Sequence, residues 1–292
     1  MNILTFDTEE WYIEKTYGSN DTKHYQTVDY YQNAILDLLD EQHLKGTFFC
    51  VGGLAREFPE VVRQIAERGH EVGCHSDVHT WLNKMTPEEC LADTRKAVDS
   101  LEQVIGKKVK SFRAPAFSIG ESNKWAFEIL AQCGIERDAS IYPAVRDFGG
   151  FDGFPADRPC IVNVGDVTLK EFPVSLTTLV GRQMAYSGGG YFRFFPLGFI
   201  KKTMKESDYV MTYFHISDLE HHPYKMMSRE AYESYFKQPG TFKNRFTRMM
   251  KRCIGSSGAF DKMCNLVRAF DYVNLEEADR AIDWNKAKVV EL

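Results

Sequence analysis

The sequence predicts an α/β fold: a distorted (β/α) barrel of about seven parallel strands, followed by a C-terminal helical extension. Three observations carry that reading. Short β-favouring runs alternate with helix-length amphipathic stretches over roughly the first 145 residues, the pattern of βα units that build a parallel sheet. Polar residues recur directly after the apolar runs, where a barrel gathers its functional groups. The chain has 292 residues, a length that one barrel reaches without splitting.

Ile3 to Phe6 is an apolar run that stops at Asp7 and Glu9, as a buried strand does where it meets its functional end. Residues 28 to 43 place Ile35, Leu38 and Leu39 at helical spacing, and Lys45-Gly46 closes that helix before the strand Thr47 to Val51. A helix through Val61 to Ala66 ends at Gly69, and His70 to Cys74 leads into His75. Pro87 suits a first helical turn and opens a helix to about Ile105; a strand near Val109 to Phe112 then runs into Arg113-Ala114-Pro115. Residues 124 to 133 form a further helix, stopped by Gly134. Beyond about residue 145 the rhythm weakens through Gly149-Gly150, Gly153, Pro155 and Pro159, and strands resume at Ile161 to Val164. Tyr209 to Phe214 reads as a late barrel strand that ends at His215. With no repeat or linker in view, residues 1–292 are expected to form a single domain, and those from about 217 its extension.

Hydrophobic residues make up 43% of the chain and charged residues 26%, which excludes a disordered composition. A formal net charge of -5 argues against a nucleic-acid partner. The seven Cys residues include no C-x-x-C pair, which suits reduced thiols in a cytoplasm better than a structural zinc site. No leader pattern is read at the N-terminus, and no apolar run approaches the ~18 residues of a membrane span, so any membrane contact is expected to be peripheral.

His75-Ser76-Asp77-Val78-His79 sets two imidazoles four residues apart, the spacing of metal ligands on one turn or tight loop. Two surface or core histidines would be the commoner reading unless a third ligand exists. Asp7-Thr8-Glu9 supplies one: alternate residues of an extended strand share a side, so one carboxylate can bind metal while the other stays free.

These residues resemble the motifs of the polysaccharide deacetylase family, the NodB-homology domain of carbohydrate esterase family four, over about residues 3 to 216. Thr5-Phe6-Asp7 matches the first motif, although Thr8 stands where a metal-binding Asp usually lies. Asp7-Thr8-Glu9 looks like a branch with an Asp-x-Glu form, and the resemblance then implies Glu9, His75 and His79 as metal ligands and Asp7 as the base. Arg113-Ala114-Pro115-Ala116 resembles the third motif, which implies that Arg113 buttresses Asp7 and that the Ala116 amide faces the reacting oxygen. Asp138 with Tyr142 looks like the fourth motif, and Tyr213-Phe214-His215 like the fifth, which implies that Asp138 orients His215 as the proton donor. Phe117, Tyr142 and Tyr191 are expected to contact substrate.

The resemblance implies a metal-dependent hydrolase that removes N-acetyl groups from an amino sugar in a polysaccharide, glycan or lipid-linked precursor. Gly188 to Pro196 is similar to a segment of deacetylases from exopolysaccharide and capsule gene clusters. Two imidazoles and a carboxylate suit zinc, and cobalt, nickel or iron would also fit. Two alternatives stay open: an amidase of the same fold acting on a small non-sugar C–N bond, and a non-catalytic carbohydrate-binding barrel. Residues 241 to 253 put Phe242, Phe246, Met249 and Cys253 on one helical face, with Lys243, Arg245, Arg248, Lys251 and Arg252 around the rest. Such a helix either docks its apolar face on the barrel or lies on an anionic membrane, the first being the commoner arrangement.

Overall fold

In the computed structural model, which describes residues 1–10, 22–146, 149–220, 225–236 and 238–292, the predicted alternation holds from the first strand. β1 (Asn2–Ile3) and β2 (Thr5–Thr8) are followed by α1 (Thr22–Glu41), β3 (Thr47–Cys50), α2 (Gly52–Glu57), α3 (Pro59–Glu67) and β4 (Glu71–Cys74). Then come α4 (Pro87–Ile105), β5 (Ser111–Phe112), α5 (Ala126–Gln132), β6 (Arg137–Asp138), β7 (Cys160–Val164) and β8 (Val167–Glu171). The local chemistry explains the boundaries. Thr86 and Glu89 form a capping box before α4, Pro87 occupies its first turn, and Gly106 ends it in the left-handed region (φ 67°).

Among the described residues a nine-stranded sheet runs in the order β12 (Phe214–His215), β2, β3, β4, β5, β6, β8, β7 and β13 (Lys288–Glu291). From β12 to β8 every pairing is parallel, which gives the seven expected barrel strands. The late strand is split into β11 (Val210–Met211), beside β1, and β12 (Phe214–His215), beside β2. Its link back to the segment after β8 runs through side chains: Tyr209 Oη donates to Pro173 O at 2.7 Å, and Met211 N donates to Ser175 Oγ at 2.8 Å. The closure is thus irregular, as a distorted barrel requires.

Before the late strand lie the hairpin β9 (Leu176–Leu179) and β10 (Arg182–Ala185), then α6 (Gly189–Phe194) and α7 (Leu197–Lys205). After it come α8 (Ile216–Leu219), α9 (Arg229–Phe236), α10 (Phe242–Cys253), α11 (Ala259–Val267), α12 (Leu275–Ala281) and β13 (Lys288–Glu291). The extension is therefore not purely helical, because β13 joins the main sheet beside β7. Nor is it an appendage. α12 packs beneath the strand beginnings: Leu275 N and Glu276 N donate to Thr47 Oγ1 and Glu71 Oε2, while Asp279 pairs with Arg137 and Lys170.

Two apolar clusters hold these layers. The larger runs from Leu4 and Phe6 through Phe48, Phe112, Phe192 and Phe214 to Val290. The smaller joins Ile3, Phe49, Ala139, Phe172 and Met211 to Leu275 and Ala278 of α12. All seven cysteines are free thiols, and no helix among the described residues is long and apolar enough to cross a membrane.

Because Val290 of β13 is buried in the larger cluster, Val290→Ala is expected to lower global stability by about 1–2 kcal/mol, the cost of two buried methyl groups. A shifted urea midpoint with unchanged slope would show that the C-terminal strand unfolds with the barrel. An unaffected midpoint would show that it frays independently.

Candidate metal and catalytic centre

The site gathers where successive parallel strands end. β2 delivers Asp7, and Glu9 follows two residues later; both are buried. β4 runs into the loop that carries the two histidines, whose backbone turns left-handed at Ser76 (φ 63°) and again at His79 (φ 57°). Such turns cost an L-residue roughly 1–2 kcal/mol, and the surrounding contacts hold them. Gly52 N and Gly53 N donate to Ser76 O and Asp77 O at 2.9 and 2.8 Å. Arg56 grips both Asp77 oxygens at 2.5 and 3.0 Å, and Lys96 adds a contact at 2.8 Å.

Clamped in this way, the rings of His75 and His79 lie 5.2 Å apart. His75 Nδ1 is 2.6 Å from Arg113 O; a carbonyl can only accept, so Nδ1 carries the proton and Nε2 keeps a lone pair for a ligand. His79 Nδ1 lies 3.4 Å from Tyr235 Oη. The Nε2 atoms of His75 and His79 stand 3.3 and 2.6 Å from Glu9 Oε2, and the ligand atoms of the three residues lie within 4.8 Å of one another. Glu9 Oε2 is buried and makes no hydrogen bond. Burial alone would raise the pKa of Glu9, but the neighbouring His79 and His75 hold its carboxyl well below the usual range. An orphaned carboxylate oxygen facing two imidazole nitrogens fits the divalent cation that the sequence implies.

Asp7 stands beside this trio. Arg113, wholly buried, donates from Nη1 to Asp7 Oδ1 at 2.7 Å and to Thr5 Oγ1 at 2.8 Å, and from Nε to Ala139 O at 3.2 Å. Its guanidinium lies 4.3 Å from the Phe49 ring centre. Burial pushes Asp7 upward, yet Arg113, His75 and His215 together outweigh it and hold the carboxyl well below the ordinary range. The other oxygen, Oδ2, is 3.3 Å from His215 Nε2. Ala116 and Phe117 follow Arg113 in a left-handed turn (φ 55° and 54°). Gly149, itself at positive φ, packs on that turn; a Cβ there would collide with Ala116 O and Phe117 O. The glycine-rich stretch that breaks the sequence rhythm is therefore a support for the turn.

One expected contact is corrected. Asp138 does not orient His215, whose two ring nitrogens face Asp218 and Asp7. Asp138 Oδ1 instead accepts from Ser140 Oγ at 2.5 Å, and Ser140 Oγ accepts from Ala114 N at 2.8 Å. Asp138 thereby braces the Arg113 turn. Glu171 lies opposite it in register, and burial together with the charge of Asp138 raises the Glu171 pKa well above the ordinary value. His215 is served by Asp218, whose Oδ2 accepts from Nδ1 at 2.9 Å. Burial would lower the His215 pKa, but Asp218 and Asp7 raise it well above the usual value. Arg193 of α6 in turn contacts Asp218 Oδ1 at 3.0 Å.

The sequence reading missed Asp218, Arg193 and Tyr235, all from the second half of the chain. Asp218 had a readable signal, an acid three residues after a histidine at a helix start. The other two had none. Among the aromatic candidates, Phe117 and Tyr142 are buried together with Tyr213, and Tyr142 Oη accepts from Ala185 N at 3.1 Å. Tyr191 is half-buried at the edge of that cluster. Phe117 and Tyr142 thus form the body of a wall, and Tyr191 its accessible edge.

Residues 3–137 match the family model described as polysaccharide deacetylase, and residues 139–278 match one described as a domain of unknown function (DUF3473). The boundary falls in β6, within the continuous sheet. A peptidoglycan-N-acetylglucosamine deacetylase of Bacillus cereus is 37% identical over 95 residues, covering 32% of this chain and 34% of that protein. A chitooligosaccharide deacetylase of Azorhizobium caulinodans is 35% identical over 98 residues, covering 33% and 44%. The chain spans about a third of the length of the first curated relatives it matches. A solved Mycobacterium smegmatis structure, assigned as a polysaccharide deacetylase, superposes with a TM-score of 0.64 at 18% identity over 100% of this chain and 92% of that one. That likeness is one of fold.

The His215 pairing sets a pH signature. Its folded pKa is raised, so its contribution to stability is complete below the unfolded value of about 6.5 and is lost as pH rises through the folded pKa. Asp218→Asn removes one of the charges that raise it. The imidazole of His215, followed by NMR, is then expected to titrate at lower pH than in the wild type; an unmoved titration would show that Asp218 does not hold the proton there.

Proposed function

The chain belongs, through residues 3–137, to the polysaccharide deacetylase family, and from that premise we propose that it is a metal-dependent hydrolase that removes N-acetyl groups from an amino sugar. The observation that carries the reading is the convergence of two imidazole nitrogens on the orphaned oxygen of Glu9, next to a base buttressed by a buried arginine. Curated relatives named as peptidoglycan and chitooligosaccharide deacetylases support the substrate class. Within it, the substrate is an N-acetylated polysaccharide, glycan or lipid-linked precursor, of the kind used in capsule or exopolysaccharide biosynthesis. Seven unpaired thiols suit a cytoplasmic setting.

Glu9, His75 and His79 would hold one divalent cation, zinc being the best match to their chemistry. Bound there, the cation supplies Lewis acidity that makes water a better nucleophile and the amide carbonyl a better electrophile. The chain's own residues do the rest. Asp7, kept anionic by Arg113, accepts the proton of the attacking water at Oδ2, the oxygen that Arg113 leaves open. The Ala116 N–H donates to the oxyanion that develops on the former carbonyl. His215, held cationic by Asp218 and Asp7, donates its Nε2 proton to the departing amine. Tyr191 forms the accessible edge against which a sugar ring can lie. Since Arg193, His215, Asp218 and Tyr235 come from beyond residue 138, the proposed catalytic unit is the whole of residues 1–292.

Purified protein stripped of metal is expected to release no acetate from N-acetylated sugar oligomers and to regain release when zinc is restored. His75→Ala should lower kcat/KM by more than the roughly 10–100-fold typical of losing a mere outer-shell partner. Metal binding without acetate release would point to a small non-sugar amide as substrate, and absence of metal binding to a non-catalytic barrel.

A further inference from the structure

α10 packs with its faces reversed. A helix docked on a globular protein buries its apolar stripe and leaves its charges in water. Here Phe242, Phe246, Met250 and Ile254 just beyond its end are exposed, Phe242 at 65%, and the rings of Phe242 and Phe246 stack at 5.8 Å. The inward face is made of arginines. Arg245 Nη1 donates to Met227 O at 3.0 Å, Arg248 lies 4.8 Å from the Phe236 ring centre, and Arg252 acts on the charge of Asp218. The expectation that an apolar face docks on the barrel is therefore overturned. The reason is local: Arg245 finds the carbonyl of Met227 just before α9, and Arg248 finds the ring of Phe236 at its end.

The outward stripe does not stand alone. Arg193 donates from Nη2 to Lys251 O at 3.0 Å, and Gly255 packs on the Arg193 backbone. Next along the chain, Phe194 is 63% exposed. The exposed apolar residues thus extend from α10 to the end of α6. Lys243 and Lys251 are exposed near the two ends of the stripe, and Phe242–Cys253 contains no acidic residue, although the chain as a whole carries a net charge of -5.

We propose that this face docks on an anionic lipid surface, with Phe242, Phe246, Met250, Ile254 and Phe194 entering the interface and Lys243 and Lys251 meeting the headgroups. A basic helix with exposed aromatic residues is the arrangement that lies in a membrane interface. It also keeps a concentrated positive charge on an otherwise acidic protein. Docking sets the catalytic centre beside the surface, because α10 is joined to Asp218 through Arg193 and α9 reaches His79 through Tyr235. That use, which rests on the deacetylase reading, selects a lipid-linked N-acetylated glycan as substrate. The docking itself does not depend on that reading.

The test is co-sedimentation of the full chain with vesicles of phosphatidylcholine alone or mixed with phosphatidylglycerol, at low and high salt. Binding to the anionic vesicles only, weakened by salt, is expected. Phe242→Ser with Phe246→Ser should abolish it, and Lys243→Gln and Lys251→Gln should each weaken it by roughly fivefold. All these variants should keep the wild-type melting temperature and acetate release from a soluble oligosaccharide. Absence of binding to anionic vesicles, or binding unmoved by the substitutions, overturns the proposal. So does a concentration-dependent dimer that the phenylalanine variant dissociates while vesicles capture nothing, since the stripe would then be a protein interface. Vesicle binding lost in the variants, from a wild type that releases no acetate, would support the docking and remove only the glycan substrate.

Discussion

The site depends on one buried ion pair. Arg113 has no exposed surface, and burying an isolated charge costs several kcal/mol unless a partner and hydrogen bonds compensate. Asp7, Thr5 and Ala139 provide those bonds, and the Phe49 ring covers the guanidinium. Phe49 fits because its neighbour on β4 is Gly73, where a Cβ would stand 2.6 Å from the ring. The carbonyl of Arg113 also fixes His75 Nδ1. One residue thus sets the charge of Asp7, the proposed base, with its side chain and the tautomer of His75, a proposed metal ligand, with its backbone, and it does both where the turn to Ala116 begins.

That economy explains which parts of the molecule were legible in the sequence. Parallel barrel strands are short apolar runs that end at polar residues, so Asp7, His75, Arg113 and His215 could each be read at a strand end. α4 could be read from Thr86, Pro87 and Gly106, since caps are local chemistry. The partner of His215 could not be read from strand position. Asp138 and His215 both sit at strand ends, but the acid that meets the imidazole is set by the helical turn after β12, which brings Asp218 to Nδ1. The facing of α10 was also hidden: periodicity finds two faces on a helix, and which face turns inward depends on the partners that await it. β13 was missed because Lys288–Glu291 pairs with β7, a strand more than a hundred residues earlier in the chain.

The two halves of the chain serve different ends of the same barrel. At the strand beginnings, α12 ties Thr47, Glu71, Arg137 and Lys170 together. At the strand ends, β12 and α8 bring the His215–Asp218 pair to Asp7, and α9 brings Tyr235 to His79. Asp138 and Glu171 stand opposite each other on β6 and β8. Glu171 Oε1 accepts from Ile141 N at 3.1 Å, and Asp138 accepts from Ser140, whose hydroxyl holds Ala114 N. A carboxyl pair with no contact to His215 thus braces the turn after Arg113 through the backbone.

The His215 arrangement shows why a local partner can replace a distant one. His215 is the N-cap of α8, and Asp218 stands in the first turn of that helix. Residues three apart on a helical turn meet without closing any long loop, so the imidazole and its carboxylate are preorganised by the same turn. Ser217 N then donates to Glu10 Oε1 at 2.9 Å, which fastens the turn to the segment after β2. Glu9 N donates to the other Glu10 oxygen, Oε2, at 3.3 Å, so one carboxylate ties the backbone of Glu9 to the helical turn that presents His215 and Asp218.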